Sequence, residues 1–141
     1  MIWSEARVSA IREGVRVPVL VRFADGEPSI VEVWLDSERL AVGEGSDLFE
    51  ALVEARRGLE QDGLLLACNG CRRDVYPSAM QRQAAHGRRA YVLTMPRTTT
   101  KPPTVDIFEP VPDDTAVVTV AEQRLAFDQW LPSPPLGRGR G

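Results

Sequence analysis

Histidine and lysine each occur once in this 141-residue chain, and cysteine twice. With His86 alone, any Ser–His–Asp or Cys–His arrangement has to use that residue. Two cysteines, Cys68 and Cys71, do not make a disulfide scaffold, so a cytoplasmic, reduced setting is expected. No run of 18 apolar residues occurs, which leaves no candidate membrane-spanning helix. The N-terminal MIWSEARVSAIREG carries acids and lacks the apolar centre of a secretory signal. There is no internal repeat. The 43% hydrophobic content is nevertheless enough for a core, and the length suits one domain. A single domain over 1–132 is expected, followed by a disordered Pro/Gly-rich tail at 133–141.

Charge is unevenly spread. Residues 1–62 hold 13 acids and 7 bases, a net of −6; residues 63–100 hold one acid and 6 bases, a net of +5. Such a basic segment could attract nucleic acid or an acidic partner. The competing reading is that it pairs with the acidic N-terminal half. The pI near 5.2 favours the latter, since nucleic-acid-binding domains usually lie above about 9.

Hydrophobic periodicity predicts the elements. VRVPVLVRF (15–23) alternates with a period of two, as a half-buried strand does. Pro18 cannot donate to a ladder, which places this strand at an edge or at a bulge. ADGEPS (24–29) is a turn with Asp25-Gly26 suited to positive φ, and IVEVWL (30–35) is the return strand. There Val31, Val33 and Leu35 share one face, and Glu32 and Trp34 the other. Residues 3–13 fit either a strand or a short helix. GEGSD (43–47) leads into a helix capped by Ser46 or Asp47, with Glu50 at capping-box spacing. Leu48, Leu52, Ala55 and Leu59 form its apolar stripe, and Gly63 closes it.

LLLAC (64–68) reads as a buried strand, and Asn69-Gly70 as a two-residue type I′ hairpin. Ser78 and Gln81 form a capping box for a helix over about 79–86, stopped at Gly87. RAYVLTM (89–95) and VDIF (105–108) read as strands, separated by the proline-rich loop 96–104. Thr119 and Glu122 form a further capping box, for a helix reaching about Leu131 with Val120, Arg124, Phe127 and Leu131 on adjacent turns. The sum is an α+β domain with a mixed or antiparallel sheet of about five strands and about three helices.

Several constellations invite chemistry. Cys68-Asn69-Gly70-Cys71 has the spacing of a zinc half-site, but no second CxxC or HxxxH completes four ligands. The same spacing suits a redox dithiol, although such a motif should open a helix, where the dipole lowers the thiol pKa. The hairpin reading instead leaves two small apolar residues facing each other across a turn. His86 is placed to cap a helix C-terminus. Gly43-Glu44-Gly45 lacks the lysine of a P-loop and the third glycine of the dinucleotide fingerprint. Arg72, Arg73, Arg82, Arg88 and Arg89, interleaved with Tyr76 and Tyr91, could stack on and neutralise single-stranded nucleic acid. No metal or cofactor is expected.

The block LLLACNGCRRDVYPSAMQRQ, the later RAYVL, then VDIFEP and TVAEQRLAFDQWL resemble a group of small bacterial proteins. These share a "CNG-x-R-x-DV-x-PS-x-M" block, an "AY" strand, a "V-D/N-IF" segment and a "T-V-x-EQ…W" helix. The resemblance spans about residues 60–131 and rests on Cys68, Asn69, Gly70, Arg72, Asp74, Val75, Pro77, Ser78 and Met80. Cys71 departs from the pattern, as do Ala84 and Ala85, where glycines are usual. Such proteins accompany bacterial toxins in immunity neighbourhoods and have no catalytic residues to carry over. The resemblance implies a non-enzymatic immunity protein that occludes a toxin. Its partner would be a protein, a basic toxin domain, with no membrane role. Glu32, Trp34, Asp36 and Glu38 are the expected contact residues, since acidic charge speeds association and tryptophan anchors interfaces. Two alternatives stand beside it: a nucleic-acid-binding module using the arginines of 72–97, and a small enzyme around Cys68, Cys71 and His86.

Overall fold

The computed structural model describes residues 1–94 and 102–131. Four consecutive strands open the chain: β1 (Ser4–Arg12), β2 (Val15–Ala24), β3 (Ser29–Leu35) and β4 (Glu38–Gly45). After helix α1 (Leu48–Gln61), β5 (Leu65–Ala67) returns to pair with β1, giving an antiparallel sheet of order β4-β3-β2-β1-β5. Strands β6 (Val75–Tyr76), β7 (Arg89–Val92) and β8 (Thr104–Asp106) form a second, three-stranded antiparallel sheet. Helix α2 (Ala79–Ala84) links β6 to β7, and α3 (Val120–Trp130) follows β8. The fold is α+β, as expected, with three α-helices but eight strands in two sheets among the described residues.

Alternation decides which face of the large sheet is buried. Val19, Val21 and Phe23 of β2, with Val31 and Val33 of β3, point into the core, where α1 covers them with Leu48, Leu52, Ala55 and Leu59. Burying each of these larger side chains contributes about 2 kcal/mol. Glu5, Arg7, Arg22, Glu32 and Trp34 lie on the opposite, partly exposed face, the usual arrangement of a one-sided antiparallel sheet. The predicted stripe of α1 is therefore its buried face. Gly63, at φ +74°, ends the helix as expected.

Several expectations need correction. Residues 4–12 are a strand. Strand β2 lies inside the sheet rather than at its edge, but β3 pairs with it only from Leu20 onward, so Pro18 sits where β2 is open on that side. Asp25 and Gly26 do not have positive φ; the 24–29 turn instead contains a cis Glu27–Pro28 bond. Strand β4 went unread, because ERLAVGEG has neither clean alternation nor strong strand formers. Asp47 caps α1 through Glu50 N (2.7 Å), but Glu50's carboxylate bonds Ser46 Oγ (2.8 Å) rather than completing a box.

The Asn69-Gly70 hairpin does not form. Residues Asn69–Cys71 are a 3-10 turn, with Cys71 N bonded to Cys68 O (2.9 Å), and neither Asn69 nor Gly70 has positive φ. Gly70 is needed for a different reason. A Cβ there would lie 2.6 Å from Leu52 Cδ2 and 2.9 Å from Ile107 Cβ. The return segment seals this turn. Asn69 N and Gly70 N donate to Glu109 O and Ile107 O, and Val118 N donates to Cys71 O. In α3 the buried positions are Gln123 and Trp130, not Val120 and Arg124, and Leu131 is exposed. Both capping boxes, Ser78–Gln81 and Thr119–Glu122, are present. The strand expected over 89–95 ends at Val92. Met95, most of the 96–104 loop and the 133–141 tail lie outside the described residues.

Candidate functional site

The acidic hairpin β3–β4 does not present its residues as one face. Glu32 is largely buried and tied down: it meets Arg22 and Arg39, each at 3.3 Å, and accepts Trp34 Nε1 at 2.9 Å. Its charge is thus offset within the sheet, and Trp34 is tethered by the same carboxylate. Asp36 sits at the turn with φ +52°. Glu38 points elsewhere, onto the rim of a groove.

That groove, with a volume of about 530 Å³, opens where β2 outruns β3. Its floor is apolar, formed by Val15, Val17 and Val19 of β2 with Leu35, Leu40 and Leu64. Glu13, Glu38 and Asp62 stand on its rim beside a single guanidinium, Arg12, which donates to Asp62 O at 2.7 Å. None of the three carboxylates has an ion-pair partner among the described residues. Val15 is 63% exposed, so part of the floor is open to solvent. An apolar floor under unpaired acids suits a basic, partly apolar protein surface. Sequence reasoning named Glu38 as a contact residue but did not foresee the groove, nor Glu13 and Asp62 beside it. They flank the β1–β2 turn and the end of α1, which nothing in the local pattern links.

The cysteines form the opposite kind of site. Cys68 and Cys71 are sealed in the core with their Sγ atoms 3.5 Å apart. Beside them lies Arg56, 2% exposed, which donates to Gly70 O (3.3 Å), Val118 O (2.9 Å) and Gln123 Oε1 (2.6 Å). Gln123 in turn faces Gly70 O, Arg72 O and Val75 O with its amide nitrogen at 2.8–2.9 Å. Burial alone would push Cys71 up. The hydrogen bond with Cys68 and the Arg56 charge reverse this and bring it down to about 7. Cys68 moves the other way, well above its ordinary value, through the same sulfur hydrogen bond and burial. Sequence reasoning missed Arg56 and Gln123. Spacing held the signal: Arg56 is four residues beyond Leu52 on the buried stripe, and Gln123 four before Phe127.

The remaining candidates have structural roles. Asn69 bonds Asp106 O through Nδ2 and Arg72 through Oδ1, and Arg72 grips Asp74 with two bonds of 2.8 and 2.9 Å. Ser78 caps α2, Pro77 lies just before it, and Met80 is 75% exposed. His86 does not cap through its ring. Its backbone oxygen accepts Leu48 N at the start of α1, and its ring faces Asp25 at 3.4 Å. Among the described residues no cluster of three or more His, Cys, Asp or Glu that could hold a metal gathers at the cysteines or elsewhere. The arginines of 72–94 are mostly engaged: Arg72 with Asp74, Arg82 with Asp47 and Arg88 with Asp106. Arg97 lies outside the described residues. No helix of the described residues is long and apolar enough to cross a membrane. Comparison of the chain with protein-family models and with curated proteins finds no match.

Proposed function

We propose that this protein is a non-enzymatic binding protein that neutralises a basic bacterial toxin domain by occluding it, and that the acidic groove between the β1–β2 hairpin and the end of α1 is the contact site. One observation carries the reading: Glu13, Glu38 and Asp62, none with an ion-pair partner among the described residues, converge on the rim of one partly exposed apolar floor, whereas Glu32, the acid of the neighbouring strand, is paired with two arginines. Leaving carboxylates unpaired beside apolar surface gains nothing in a lone monomer. Against a basic partner they speed encounter, and the floor supplies the apolar contact. The toxin identity of the partner rests on the resemblance of residues 60–131. In this reading Glu38 is a contact residue, Asp36 lies outside the groove lining, and Glu32 and Trp34 act as support for the hairpin.

The test is affinity capture from the host with the wild-type protein and with a Glu13→Lys/Glu38→Lys/Asp62→Lys variant. The expected result is one basic protein retained stoichiometrically by the wild type and lost by the variant. Expressed alone, that protein should arrest growth, and co-expression should relieve the arrest. Capture that the triple reversal leaves unchanged overturns the groove. A captured partner that is harmless alone overturns the immunity role, and recovery of nucleic acid instead favours the arginine-bearing segment.

A further inference from the structure

We propose that Cys68 and Cys71 form a hydroperoxide-responsive dithiol, with Cys71 as the attacking sulfur and Cys68 as the resolving one. The geometry is that of a pair. One 3-10 turn sets the two Sγ atoms 3.5 Å apart, so closing a disulfide of about 2.05 Å needs only a small movement. Arg56 favours ionisation of either sulfur, and the hydrogen bond between them raises Cys68 while it lowers Cys71. Arg56 is a buried cation with no carboxylate bonded to it among the described residues; its three partners there are neutral oxygens. An isolated buried charge of this kind is costly, and a Cys71 thiolate supplies the missing negative charge. Glu60 opposes ionisation there, but the Cys68 thiol and Arg56 outweigh it. Cys68, held protonated, is suited to the second step.

Burial selects the oxidant. Cys68 and Cys71 are 0% and 1% exposed, beneath a strap whose Pro110 bridges Cys68 and whose Val118 N bonds Cys71 O. A protein disulfide cannot align on a sulfur so placed, whereas a hydroperoxide is little larger than water. The Cys71 thiolate attacks the terminal peroxide oxygen. A sulfur–oxygen bond forms, the oxygen–oxygen bond breaks, and the departing alkoxide or hydroxide takes a proton. Cys68 then gives up its proton and attacks the Cys71 sulfenic acid. The disulfide forms as hydroxide leaves and is protonated to water. Two thiols and one hydroperoxide thus yield a disulfide, water and an alcohol or a second water. Oxidation also removes the sulfur charge beside Arg56.

The experiment exposes the full-length native protein to hydrogen peroxide, quenches with an alkylating agent and reads the intact mass. Expected is a loss of about 2 Da with no alkylation, restored by dithiothreitol. Cys68→Ser should stop at the sulfenic acid, a gain of about 16 Da trapped by dimedone at Cys71. Cys71→Ser should leave Cys68 at least about 10-fold slower to react. Because either variant could fold poorly, the wild-type oxidation rate is also followed in sub-denaturing urea, where it should stay flat. A rate that climbs with urea in step with unfolding overturns the proposal. So does a native protein whose thiols remain unreacted, or a Cys71→Ser variant as reactive as the wild type.

Discussion

The groove and the cysteine turn put the same kinds of group, charges beside apolar side chains, under opposite conditions. At the groove, Glu13, Glu38 and Asp62 are solvated and have no ion-pair partner among the described residues. At the turn, Arg56 and Gln123 are buried, and the guanidinium Nη atoms and the Gln123 amide are spent on backbone carbonyls or on each other. Exposed charges of the first kind contribute little to stability, so their placement is free to serve binding. Buried groups of the second kind are costly to leave unmatched, so their removal is felt throughout the fold.

The most severe test of this contrast is Gln123→Leu. Leucine fills much the same space, but Arg56 loses its closest acceptor, and Arg72 O and Val75 O lose the Gln123 donor. The expected cost is about 3–5 kcal/mol in denaturant unfolding. A cost under about 1 kcal/mol would mean that Arg56 and the freed carbonyls find other partners and that Gln123 is not what satisfies them. Next comes Gly43→Ala. Its Cβ would collide with Ala51 O and Ala55 N of α1, both backbone atoms that cannot step aside. Pushing α1 off the sheet should cost about 3 kcal/mol by the same measurement.

Strands β2 and β3 and helix α1 could be read from the sequence because a single physical rule, periodic burial, governs Val19 to Val33 and Leu48 to Leu59. The three side-chain caps, Asp47, Ser78 and Thr119, were legible for the same reason: cap and partner lie three residues apart. What stayed hidden depends on distant partners. Asn69-Gly70 has the local chemistry of a hairpin, but the return segment at Ile107–Glu109 and the side chain of Leu52 impose a 3-10 turn with a glycine at its centre. Glu32 reads as a free strand-face acid, yet Arg22 and Arg39 from neighbouring strands claim it. The groove joins Glu13, Glu38 and Asp62 from three separate turns, so no window of sequence contains it.

Two acids on one hairpin then sharpen the comparison. Glu32→Lys breaks two ion pairs and the Trp34 Nε1 bond, and places a third cation between Arg22 and Arg39. It should cost about 1–2 kcal/mol of stability. Glu38→Lys should leave stability within about 0.5 kcal/mol. It should also slow association with a basic partner several-fold at low salt, with the difference fading as salt rises. If the two substitutions exchanged these effects, Glu32 would be the contact residue and Glu38 the support.

The smallest expected effect lies at the start of α3, which carries Gln123 into the buried turn. Thr119 caps this helix by accepting Glu122 N, while Glu122's carboxylate accepts Thr119 N and Oγ. Those bonds hold Glu122 below its ordinary value. A carboxylate depressed in the folded state stabilises the protein above its unfolded pKa, and that contribution is lost as pH falls through the lower folded value. Thr119→Ala should therefore cost about 1 kcal/mol near neutrality. The gap from wild type should narrow as the solution is acidified below the ordinary carboxylate range, because the wild type is then losing the same interaction. Chemical unfolding of both proteins from pH 7 down to pH 3 reads this directly. A gap that stays constant across the range would assign the loss to the Thr119 hydroxyl alone. It would also leave the anchoring of α3 to Gln123 and Trp130, the two side chains it buries.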